Sequence, residues 1–158
     1  MTISGDLAAL FRRDLKRLLQ EVRAFPDEAA LWATVPGVTN PAGNLILHLE
    51  GNLREYIGHL LAGVEYHRER PQEFGKKNVT QAELSAHVED LQALIPSLVE
   101  AIPESRWFEP YPRNALGGPI SNHQFVVHLH GHFNYHVGQI DYLRRTLTGN
   151  GALPPVNL

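Results

Sequence analysis

The chain has 158 residues, a net charge of −3 with both signs interspersed, and no cysteine. That length favours a single domain, residues 1–158, able to bury ~70% of the surface its unfolded chain exposes. The composition excludes disulfides, thiolate zinc sites and a protein-borne sulfur nucleophile. It offers no basic stripe for nucleic acid and no apolar run near the ~20 residues of a membrane span.

The amino terminus, MTISGDLAALFRRDLKRLL, breaks its leucines with charge and has no secretory h-region, so a cytoplasmic location is expected. Ser4 is placed to cap a first helix reaching about Ala24, in which Leu7, Leu10, Phe11, Leu15, Leu18, Leu19 and Val22 form an i, i+3/i+4 stripe. Pro26 ends it, and Asp27–Trp32 predicts a short helical turn closed by Pro36-Gly37. Asn40-Pro41 reads as an N-cap and first helical proline, opening a second helix to about Ala62. Its inward side is Leu45, Leu49, Leu53, Tyr56 and Leu60, with His48 and Asn52 on the flank one turn apart. His59 lies 11 residues beyond His48, roughly 16 Å along the axis, too far to share an ion with it.

The polar stretch Gly63–Asn78 reads as a loop of lid-like character, with His67 exposed in it. Thr80 and Glu83 spell a capping box for a third helix carrying Leu84, Val88, Leu91, Leu94, Ile95, Leu98 and Ile102. Pro96 predicts a kink or a restart there, and His87, off the stripe, is expected in solvent. Arg106–Pro119 is a long connection whose Trp107, Phe108 and Tyr111 are expected to cover one end of the bundle.

The fourth helix, Ser121 to a stop at Gly149, holds five of the nine histidines. Wound at about 100° per residue, Phe125, Leu129, His132, His136, Ile140, Leu143 and Leu147 share one stripe. Buried imidazoles need partners, and an HxxxH pair on a helix is how two of them reach one metal ion. His128 lies about 40° to one side of His132 and His136 about 40° to the other, so His128/His132 is as good a pair as His132/His136. The second pair sits nearer the centre of the stripe. Gln139, one turn past His136, is placed to hold a ligand group or bound water, and Gly138 to admit a neighbouring helix. His123 and His130 come out on the opposite side with Asn134, Asp141 and Arg145, a side read as facing solvent. Phe133 occupies the position of the glutamate in HExxH, which excludes a zincin. The alternative is a pair of core histidines satisfied by protein acceptors.

The segments NLILHLEGNLREYI (44–57) and HFNYHVGQI (132–140) resemble the DinB/YfiT-like family of helical-bundle metalloproteins, over most of the chain. The resemblance implies an all-α four-helix bundle with a crossover connection, often a homodimer. It also implies a divalent ion on three histidines, which map to His48, His132 and His136. Characterised members are thiol S-transferases and isomerases that use bacillithiol, mycothiol or glutathione.

Three imidazoles leave coordination positions open, and a bound ion lowers the pKa of a coordinated water or thiol. The expected function is therefore a metal-dependent S-transferase acting on a small-molecule substrate with an external low-molecular-weight thiol. Asn52, Tyr56, His128 and Gln139 are its candidate pocket residues. The alternatives are a metal-dependent hydrolase, for which Glu55 is the nearest carboxylate in direction, and a non-catalytic bundle whose ion or dimer contact serves stability. Imidazole ligands suit Zn, Ni, Fe or Cu.

Overall fold

In the computed structural model, which describes residues 2–114 and 116–158, Leu7, Phe11, Leu15, Leu18 and Val22 line the buried face of α1 (Ile3–Arg23). Thr2, rather than Ser4, caps it. Ser4 is buried instead, its Oγ donating to the Ile102 carbonyl at 2.6 Å and accepting from Trp107 Nε1 at 2.7 Å. The short helix α2 (Glu28–Trp32) starts on an Asp27 cap as its sequence suggests. Helix α3 (Ala42–Leu53) begins one residue later than expected, with Pro41 at the cap position and no side-chain bond from Asn40.

The second predicted helix is not α-helical to Ala62. Arg54–His59 widens into a π-helical turn, a feature that often marks functional sites. The expected loop after it contains another helix, α4 (Arg70–Gly75), which packs on α3. Helix α5 (Gln81–Glu100) opens on the predicted Thr80/Glu83 capping box and runs through Pro96 without interruption. A 3-10 turn (Glu104–Phe108) leads toward α6 (Asn122–Thr148), which Gly149 ends in the left-handed conformation at φ 72°. Trp107 and Tyr111 cover the bundle end as expected, but Phe108 is 72% exposed. Residue 115 of that connection lies outside the described residues.

The four long helices α1, α3, α5 and α6 make an all-α bundle, with no strand among the described residues. Helix α1 packs most extensively on α5, α3 packs on both α5 and α6, and α6 packs back on α1. Helices α1 and α3 therefore stand on a diagonal, and the segment through α2 is the crossover. Helix α3 is buried on nearly all sides, which its sequence achieves with two glycines as much as with leucine. A Cβ at Gly43 would meet the Trp32 ring at 2.7 Å, and one at Gly51 would run into the Glu73 carboxylate of α4.

On the side of α6 opposite the histidine pair, His130 and Asn134 face α1 rather than solvent. His130 Nε2 donates to Asp14 Oδ2 at 2.8 Å, and Asn134 donates to the same oxygen at 2.8 Å. The His130 ring stands edge-on to Phe11, and Phe133 fills the space beside it. Further along, the fully buried Arg144 pairs with the fully buried Glu21 at 2.6 Å, while Asp141 braces Arg144 and Arg145. Gly138, expected to admit a helix, faces open space.

These contacts carry two predictions. Gly51→Ala should cost about 1–3 kcal/mol in denaturant unfolding, because α4 must move off α3. Gly138→Ala should instead stabilise by about 0.5–1 kcal/mol, through helix propensity alone. Burial acts to raise the Asp14 carboxyl, but the bonds from His130, Arg13 and Asn134 outweigh it and hold it well below the ordinary range. A carboxyl depressed in the folded state contributes stability above its unfolded pKa of about 3.9 and loses it as pH falls further. Asp14→Asn should therefore lower stability at pH 7 by about 1–3 kcal/mol and flatten its decline below about pH 4.

Candidate metal centre

Helices α3 and α6 pack together, and three imidazoles meet where they do. His48 comes from α3, and His132 and His136 from successive turns of α6. One nitrogen from each lies within 4.8 Å of the others. His48 is 7% exposed, and the other two are half-buried.

Each ring is aimed by its other nitrogen or by a neighbour. His48 Nδ1 donates to Glu73 Oε2 at 2.8 Å, so its Nε2 turns toward the cluster. His136 Nδ1 donates to Gln139 Oε1 at 2.6 Å, leaving its Nε2 facing His132 Nε2 at 3.2 Å. The Asn52 side-chain amide sits 3.1 Å from His48 Nε2 and 3.4 Å from His132 Nδ1.

The donor set, and the separation within the α6 pair, suit a metal ion. Two imidazole nitrogens bound to a tetrahedral ion at ~2.0–2.1 Å must lie roughly 3.3 Å apart, close to the His132–His136 separation. Burial pushes His132 down to about 4, and charge on His136 and His48 would push it the same way. Burial also lowers His136, although its bond to Gln139 works against the shift. Both imidazoles are thus held in the neutral form that a metal requires.

Behind His48 stands a group that the sequence pattern did not reveal. Glu73 is 7% exposed and receives Arg68 through two bonds, Nε to Oε1 at 2.6 Å and Nη2 to Oε2 at 2.8 Å. Burial acts to raise its carboxyl, but Arg68 and His48 outweigh that and hold it below the usual range. Helix α4 is pinned by Asn44, whose amide donates to the Glu73 and Lys76 carbonyls at 2.8 and 2.9 Å. The one local signal for all this was Pro71 opening a helix inside a polar stretch.

The remaining histidines are elsewhere. His128 is exposed and its nitrogens are not in the cluster, so the pair that meets His48 is His132 with His136. His128 lines a cavity of about 220 Å³ together with His48, His132, Asn52, Tyr56 and Arg68. Tyr56 sits there edge-on to Phe125 and beneath the Arg68 guanidinium. His87, expected in solvent, donates to Glu50 at 2.7 Å. His67 is exposed as expected, and His59 is exposed too. Glu55 is buried and tied to Arg113 at 2.8 Å.

No curated protein matches the chain significantly. A crystal structure of a conserved protein from Enterococcus faecalis shares the fold, with TM-score 0.72 and 16% identity over 95% of this chain and 99% of that one. A family model described as mycothiol-S-transferase matches residues 6–149, nearly the whole bundle and every residue of the histidine cluster. On that match the chain belongs to the mycothiol S-transferase family, a DinB/YfiT-like family of helical bundles.

Proposed function

We propose that this protein is a divalent-metal-dependent S-transferase that joins a mycothiol-type low-molecular-weight thiol to an electrophilic small molecule. The observation that carries the reading is the convergence of His48, His132 and His136 from two helices, in a family whose description names thiol transfer. The absence of cysteine agrees with it, since the sulfur must then come from a small molecule. An ion held by these imidazoles supplies Lewis acidity, lowering the pKa of an incoming thiol.

The chain's own groups have separate tasks. Glu73 and Gln139 orient His48 and His136 by accepting hydrogen bonds from their Nδ1–H groups. Arg68 keeps Glu73 ionised and so a good acceptor. Asn52 and Tyr56 line the space beside the cluster and are the groups available to position a bound thiol. Against the hydrolase alternative, Glu55 is paired with Arg113 and Glu73 with Arg68 and His48, so neither of these two carboxylates is free to act as its base.

Elemental analysis of the purified protein should find about one divalent ion per chain, with Zn, Ni and Fe the candidates. His48→Ala and His136→Ala should lose it while remaining helical by circular dichroism. Chelation should abolish thiol consumption in a thiol-transfer screen without unfolding the bundle. A protein that takes up no ion ends this reading; one that unfolds on chelation and turns nothing over has a structural site instead. Glu73→Gln should weaken metal affinity by about 10–100-fold, read as a dissociation constant by competition with a chromogenic chelator.

A further inference from the structure

The three-histidine cluster is reached by two cavities that share no lining residue. The first, of about 220 Å³, lies on the side of His48 and His132 and is the more polar, with Arg68 and Arg70 among its lining beside Phe125 and Leu129. The second is larger, about 530 Å³, and reaches His136 and Gln139 from the other side. Its walls are of a different character: Val35, Val38, Leu45 and Leu143, flanked by Tyr135 and Tyr142. Tyr135 and Tyr142 are 64% and 67% exposed, and the Tyr135 ring stands 5.2 Å from that of His136.

A cleft of that volume, apolar in its walls with a few convergent polar groups at one end, suits a small organic molecule. Resting on the transferase reading above, we propose that the larger cavity binds the electrophile, and that this substrate is apolar and aromatic. The polar thiol enters by the smaller cavity, where Arg68 is occupied by Glu73 and Arg70 makes no ion pair among the described residues. Two approaches to one centre let two substrates of different polarity bind side by side. The larger cavity is mainly apolar and the smaller one mixed with two arginines, and that difference supplies the separation. In the displacement, the thiol sulfur forms a bond to carbon, and the leaving group departs with its electron pair. The thiol proton passes to solvent, and nothing is oxidised or reduced.

Two measurements on the metal-loaded protein test the assignment. Equilibrium dialysis with 2,4-dinitrotoluene, an aromatic that does not react with thiols, reads the cavity without turnover. Steady-state kinetics with 1-chloro-2,4-dinitrobenzene and the thiol reads each substrate separately. Val38→Asp and Tyr142→Ala should each weaken dinitrotoluene binding at least about tenfold and raise KM for the chloroarene similarly, leaving KM for the thiol unchanged. Arg70→Ala should do the reverse. Dinitrotoluene binding indifferent to both cavity variants, or the two KM values moving together, overturns the assignment. So does a change of sedimentation from dimer to monomer in Tyr142→Ala without loss of dinitrotoluene binding, since the face is then a contact between copies. A wild-type protein that binds dinitrotoluene in this cavity but consumes no thiol refutes the transferase reading, and with it the substrate role, while the cavity's ligand preference stands.

Discussion

The site depends on a carboxylate buried beside an imidazole. Glu73 sits almost out of water, and its charge is tolerable only because Arg68 grips both oxygens and His48 donates to one. In return it fixes which His48 nitrogen carries the proton and where the ring points. Everything that brings α4 against α3 serves that contact: Asn44 holds the end of the short helix, and Gly51 leaves the space that the Glu73 carboxylate fills. The glycine of HLEGN therefore has a steric reason for standing one turn past the histidine.

Helix α6 works on two fronts. One face presents His132 and His136 to α3, and the other presents His130, Asn134 and Arg144 to α1. The second face is a polar interface inside the bundle, with Asp14 and Glu21 as its anions. Such buried pairs add little net stability against an apolar alternative, but removing one partner leaves an uncompensated charge. They lock the rotation of α6 about its axis, and that rotation decides whether the two histidines face His48. The polar contact with α1 thus supports the geometry of the cluster from behind.

The site sits where regular structure gives way. The second predicted helix stops being α-helical at Leu53, directly after the turn holding His48 and Asn52, and its π-helical turn carries Tyr56 into the cavity wall. The chain then returns through Arg68 and α4 to close over His48, with Phe74 packed on the imidazole. A segment that reads as a polar lid is in part a wall of the site.

Local chemistry by itself determined a good deal. The spacing of leucines set α1, α3, α5 and α6, the Thr80/Glu83 pair and Gly149 set two of their ends, and the HxxxH repeat singled out α6. These are properties of residues three or four apart, which a helix brings together whatever surrounds it. Spacing alone leaves His128 and His136 as equal partners for His132, because rotation about a helix axis is set by its neighbours; His136, and His48 as the third partner, come from resemblance. Only the tertiary structure decided that the His130 side of α6 meets α1, that His130 belongs to Asp14, and that Glu73 lies behind His48. Those are pairings 116 and 25 residues apart in the chain. A helical period records which side chains share a face, but not what lies opposite that face. A charged residue in a polar stretch looks the same whether water or a histidine awaits it.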